Sequence, residues 1–303
     1  QEPKNRVAAY LVVKAGSLNE KENERGVAHF LEHMMFNGTK HYPPGTLIPH
    51  LQKMGMEFGR DSNALTSYDS TVYHLVLPQS TPQTLIDGFT ILADFAGGAL
   101  LDQAEIEQER GIILAEKRAR DSEAYRNQVA LGTIAYKGTR LAGHEVIGRL
   151  KVLQKADQAL LKRFYETWYR PDNMILLVVG DVEPQAGMKV AAPIFSKLIR
   201  PDSPLPEFED FGQLQKQRFR TWYRYSPALG KTEISLETYK DLSLVSDSLE
   251  FEKQEILRYM VPMILDYRLG KFEEGKEAAC SESSASFGDL LNRVGYTVIG
   301  AET

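Results

Sequence analysis

The chain has 303 residues, 43% of them hydrophobic and 25% charged, the balance of a globular protein long enough for two domains. A formal net charge of −5 argues against nucleic acid as a partner. The single cysteine, Cys280, excludes an intrachain disulfide, and no apolar run is long enough to span a membrane as a helix.

Residues 7–13 read as a buried strand. A short helix follows, with Val27, Phe30, Leu31 and Met34 at i, i+3, i+4 and i+7 as its core stripe and Asn37-Gly38 as its stop. Pro43-Pro44-Gly45 marks a turn before a second short helix through Leu51 and Met54. Strands are expected near 57–68 and 71–77, the second covered on both faces. Helices are expected at 82–99, from Asp102 through Arg118 and beyond, and at 157–168, where Phe164, Tyr165, Trp168 and Tyr169 have core spacing. An apolar strand at 174–179 and a helix at 185–198, kinked or broken at Pro193, complete this region.

Three prolines, Pro201, Pro204 and Pro206, mark a linker, so the expected division is 1–199, a linker at 200–212, and a second unit at 213–303. In that unit 222–225 and 233–236 read as strands, 251–272 as a long helix and 296–299 as a last strand. Cys280 lies among Glu277, Ser281, Glu282, Ser283 and Ser284, which read as a loop.

The most informative run is His29-Phe30-Leu31-Glu32-His33. Histidines four apart share one face of a helix, and their ring nitrogens can converge on one zinc ion at roughly 2.0–2.1 Å. Glu32, just before the second histidine, is placed to take a proton from a metal-activated water, whose pKa falls from about 15.7 to near 7. This H-x-x-E-H order reverses the commoner H-E-x-x-H motif. A catalytic zinc needs a third protein ligand. The helix after the capping sequence Asp102-Gln103-Ala104-Glu105 carries Glu109 and Glu116. They point roughly the same way but stand about 10 Å apart along the axis, so one zinc cannot take both directly. One is expected to bind metal and the other to orient a histidine or a neighbour. Lys117, Arg118 and Arg120 read as a solvated basic face.

His29–His33, the following Met34-Met35-Phe36-Asn37-Gly38-Thr39, and Glu109-Arg110-Gly111-Ile112-Ile113-Leu114-Ala115-Glu116 resemble the pitrilysin/insulinase family of inverzincin metallopeptidases. Asn63-Ala64-Leu65-Thr66-Ser67-Tyr68-Asp69 resembles its N-A-x-T-S segment, and Tyr169-Arg170-Pro171-Asp172-Asn173-Met174, leading to Val178-Val179-Gly180-Asp181-Val182, the strand that closes its first domain. The resemblance runs from about residue 7 to 185, with the bacterial, often periplasmic, branch nearest in flavour. It implies that His29, His33 and Glu116 bind Zn2+, that Glu32 is the catalytic base, and that Glu109 is the acidic residue supporting catalysis behind the ligands. One departure is a longer gap from His33 to Glu116, with the surplus around 54–62.

The resemblance further implies an α+β fold: a two-layer domain with a mostly antiparallel sheet covered by helices, followed by an incomplete second domain of the same type. It implies a zinc endopeptidase acting on extended peptides, which the Asn63, Ala64 and Thr66 strand would grip by strand addition. A second family half, in the same chain or a separate subunit, would close the site. The chain opens at Gln1 almost directly on a strand, as if trimmed of a leader, so a periplasmic location is expected, with a cytoplasmic one as the alternative. The alternative function is a non-catalytic assembly or binding subunit on the same fold, disfavoured by the intact motif. A purely structural zinc is weaker still, because such sites are usually cysteine-rich.

Overall fold

The computed structural model describes residues 4–216, 219–273 and 280–303; Glu277 lies outside them. The chain forms two units, Gln1–Arg120 with His144–Glu209, and Asp121–Gly143 with Asp210–Thr303.

The first unit is built on strands β1 (Val7–Val13), β2 (Ser62–Thr66), β3 (Thr71–Leu77) and β4 (Met174–Gly180). They form one antiparallel sheet in the order β2-β3-β1-β4. Strand β1 buries Val7, Ala9, Leu11 and Val13 on one face, as the two-residue period of a strand requires. The helices packed on that face are α1 (Val27–Met34), α2 (Leu47–Lys53), α3 (Pro82–Gly97), α4 (Gln103–Arg120), α6 (Leu150–Leu153), α7 (Gln158–Trp168) and α8 (Pro184–Phe195); α5 (Glu123–Ala135) lies in the other unit. Thr81 caps α3 and Asp157 caps α7, each side chain accepting from a backbone N–H.

Strand β3 differs from expectation. It buries Tyr73, Leu75 and Leu77, but Val72, His74 and Val76 are only half-buried, so one sheet face is packed and the other is partly open. On the open face Ile175, Leu177 and Val179 of β4 are exposed. Helix α8 runs on through Pro193, which stands third from its end; the proline has no N–H to offer the carbonyl four residues back, yet the helix continues past it. The aromatic group Phe164, Tyr165, Trp168 and Tyr169 is buried core, and the Tyr169 hydroxyl pairs with that of Tyr73 at 2.6 Å. Leu11→Ala should cost about 2–5 kcal/mol in a urea unfolding experiment, since Leu11 is sealed between sheet and helices.

The second unit contains α5, β5 (Glu233–Asp241), α9 (Leu249–Glu273), β6 (Glu282–Leu290) and β7 (Val294–Glu302). Its antiparallel sheet runs β5-β7-β6, with Tyr259 of α9 edge-on to Phe287 of β6 at 5.7 Å. Both units are thus mixed helix and antiparallel sheet. Two local readings change. Residues 222–225 join no strand, and Glu282–Ser284, read as loop, open β6. On α9, Val261, Met263 and Tyr267 are exposed. Among the described residues no helix is long and apolar enough to cross a membrane.

Candidate metal centre

Helix α1 packs Val27, Ala28, Phe30, Leu31 and Met34 into the core and aims His29, Glu32 and His33 along its flank. The histidine rings lie edge to face, 4.7 Å apart. Their Nε2 atoms are each 3.6 Å from Oε2 of Glu116 on α4. Ligands on one tetrahedral zinc, each at about 2.05 Å, would stand about 3.3 Å from one another. Both histidine–Glu116 distances therefore fit the ion with only a small contraction, and all three donor atoms lie within 4.8 Å of one another. Among the described residues, His29, His33 and Glu116 are the group of histidine, cysteine and acidic side chains that could hold a metal.

The donor chemistry also fits. Burial, with help from His33 and Arg120, pushes the His29 imidazole down to about 3, so it is neutral at neutral pH, as a metal ligand must be. Burial also pulls on His33, but the Glu109 hydrogen bond, with the charges of Glu109, Glu32 and Glu116, outweighs it and raises His33. His33 Nδ1 lies 2.8 Å from Glu109 Oε1. With a carboxylate as acceptor, the ring proton sits on Nδ1 and leaves the Nε2 lone pair facing Glu116. Asn37 Nδ2 donates to the other Glu109 oxygen at 2.5 Å. These two hydrogen bonds outweigh burial and hold the Glu109 carboxyl below its ordinary value. Burial raises Glu32, opposed by the Thr66 hydroxyl, which donates to Oε2 at 2.5 Å.

The expected residues thus fall into two groups. His29, His33 and Glu116 converge, with Glu109 behind His33 and Glu32 beside them. Asn63, Ala64 and Thr66 lie on β2, an edge strand. Val76 N–H donates to Asp61 O, so antiparallel alternation turns Asn63 and Leu65 toward β3 and leaves the backbone groups of Ala64 and Thr66 facing outward. The Asn63 amide oxygen accepts from Ala64 N–H at 2.9 Å. Thr66 ties this edge to Glu32.

Two residues were missed. Asn37 reads only as a helix stop, yet it holds Glu109. Arg120, read as part of a solvated face, pairs with Glu116 Oε1 at 2.5 Å and leaves Oε2 for the histidines. The Glu116–Arg120 spacing of i, i+4 is the signal that would have found it.

The chain matches the model of the insulinase (peptidase family M16) domain over residues 1–146 and that of the peptidase M16 inactive domain over 155–239. It is 40% identical over 196 residues to a probable zinc protease, PqqL, of Escherichia coli, covering 65% of this chain and 21% of that protein. It is 31% identical over 288 residues to the protein of the same name from Haemophilus influenzae, covering 94% of this chain and 31% of that one. The chain therefore spans about a fifth to a third of the length of these curated relatives. The crystal structure of the first half of the periplasmic protease PqqL from Escherichia coli superposes with a TM-score of 0.81 at 30% identity, covering 99% of this chain and 64% of that one. By both family models, and by its fold, this chain belongs to the insulinase family of peptidases, M16.

Proposed function

We propose that the chain is the metal-binding lobe of a zinc endopeptidase that cuts extended peptides or unfolded protein segments. The observation that carries this reading is the tether of Glu32 to Thr66, which brings a carboxylate base, three metal-ligating side chains and a free strand edge to one place. His29 Nε2, His33 Nε2 and Glu116 Oε2 would hold the ion. When bound, zinc supplies Lewis acidity and acidifies a water held beside it. Glu32 would take a proton from the attacking water as its oxygen adds to the scissile carbonyl carbon, and would pass that proton to the leaving nitrogen as the C–N bond breaks. Glu109 keeps the His33 ring in one tautomer and orientation. The outward C=O of Ala64 and the N–H of Thr66 offer a substrate strand its backbone partners, and the Asn63 side chain must release Ala64 N–H for full pairing.

The relatives' names support zinc and peptide hydrolysis, and the periplasmic neighbour supports an extracytoplasmic location. The inactive-domain match, with solved relatives that extend beyond the region matched, supports a second half that closes the site. The test is hydrolysis of an unstructured fluorogenic peptide by the protein together with that second half. Activity should vanish with a zinc chelator and return with added zinc. Hydrolysis that persists after the metal has been removed would refute the reading.

Grip has its own test. N-methylation of a bound peptide at alternate amides should weaken binding about two- to tenfold where the amide faces the β2 edge and little where it faces away, since one backbone hydrogen bond contributes about 0.5–1.5 kcal/mol. Competition binding would measure it, and equal losses at every position would count against strand addition.

A further inference from the structure

Helix α1 is only eight residues long, too short to hold its own geometry, and its start has no side-chain cap. The residue there, Gly26, takes φ +103°, a left-handed conformation that favours glycine. A carboxylate six residues upstream does the capping. Glu20, fully buried, accepts from Gly26 N–H and from Ala28 N–H, each at 2.8 Å. The buried Arg25 guanidinium lies 3.9 Å away. Burial pushes the Glu20 carboxyl up to about 8, against the pull of both N–H donors and Arg25. The mechanism above assigns Glu20 nothing.

A second set of contacts joins the same end of α1 to α4, the helix that carries Glu109 and Glu116. The segment 144–153, a loop that runs into the short helix α6, makes all of them. Arg149 N–H donates to Arg25 O at 3.1 Å. From α4, Lys117 Nζ donates to Gly148 O at 2.7 Å and Arg110 Nη1 to Leu153 O at 2.8 Å. Gly148 lies so close that a Cβ there would stand 2.2 Å from Gly26 Cα and 2.5 Å from Arg25 O. The segment thus rests on the bare backbone at the start of α1 while two α4 side chains hold its carbonyls, one in the loop and one on α6.

The distance from either histidine Nε2 to Glu116 Oε2 is set by how α1 lies against α4, and a metal site tolerates errors of only about 0.2 Å in its ligand distances. We propose that Glu20 and the segment 144–153 form a positioning clamp that fixes α1 against α4, so that metal affinity depends on residues that touch neither the ion nor its ligands. The proposal rests on the zinc reading above.

The test uses Glu20→Gln and Lys117→Met. The first keeps the side-chain size but turns an NH2 group toward a backbone N–H; the second keeps the methylene stem and loses the bond to Gly148. Zinc affinity would be measured by competition with a chromophoric chelator, ligand geometry by the visible spectrum of the cobalt(II)-substituted protein, and folding by thermal melting without metal. Wild type should bind zinc, and both variants should bind it about tenfold or more weakly, with an altered cobalt spectrum, while still melting cooperatively. Wild-type affinity and spectrum in a folded variant would overturn the clamp alone. If Glu20→Gln does not fold, Lys117→Met decides by the same readings. A wild type that binds no zinc would overturn the metal-centre reading, and the clamp with it.

Discussion

Glu32→Gln should leave zinc binding intact and reduce kcat for peptide hydrolysis by about 10²–10⁴, the usual contribution of a positioned general base. That range corresponds to about 3–5 kcal/mol of transition-state stabilisation, at about 1.4 kcal/mol per factor of ten. The substitution is nearly isosteric, and the Thr66 hydroxyl can still donate to the side-chain oxygen that it meets at 2.5 Å. No buried charge is stranded. The carboxylate's raised proton affinity, caused mainly by burial, suits a base that must accept a proton near neutrality and give it up again. An amide of the same shape cannot do so. KM should change little, because the β2 edge that grips substrate is untouched. Elemental analysis and steady-state kinetics on one preparation would check both halves of the expectation. A variant within tenfold of wild type in kcat would remove Glu32 from the base role.

What could be read in the sequence, and what could not, follows from how local each interaction is. Helix α1 was legible because its apolar positions, its histidine pair and its stop all lie within a dozen residues. The edge strand around Asn63 and Ala64 was legible as a motif. That its Thr66 would bind Glu32 was not, because the two meet only after the sheet has packed on α1. Glu20 gave no signal for the same reason: it acts through backbone N–H groups of a helix whose start bears an uninformative glycine. In the second unit, Ser-rich composition hid β6, although its side chains alternate in burial as a strand's must. Aromatic content pointed the other way at 222–225. Strand propensity without a neighbouring strand to pair with does not make a strand. The end of α4 was legible in principle, because Ser122 accepts from Tyr125 N–H and starts a new helix. With that break, 121–143 packs with the second unit.

The two α4 glutamates make the sharpest demand on the geometry, and zinc affinity should separate them. Glu116→Gln should lower it far more than Glu109→Gln. Both point to the same side of α4 but meet different nitrogens of the same ring: Glu116 Oε2 faces His33 Nε2, and Glu109 Oε1 contacts His33 Nδ1. Losing Glu116 removes a ligand and an anionic charge that helps to offset the ion's own, and it frees Arg120 as an uncompensated cation beside the site. Losing the Glu109 charge leaves all three ligands in place. The Gln amide can still accept from Nδ1 if its NH2 group faces Asn37, whose side chain can turn its oxygen inward. Such a change behind a ligand typically costs about 10–100-fold in affinity or activity. His33→Ala should exceed both. It deletes a ligand and leaves the Glu109 carboxylate with Asn37 as its remaining hydrogen-bond donor, and losing a hydrogen bond to a charged group costs about 1.5–3 kcal/mol. Zinc should then be lost on dialysis, and the metal-free protein should also melt at a lower temperature. Chelator competition across the three variants, with melting of each metal-free protein, tests the whole order. Were Glu109→Gln to lose more zinc than Glu116→Gln, the two glutamates would have to exchange roles, and the tautomer argued for His33 would go with them.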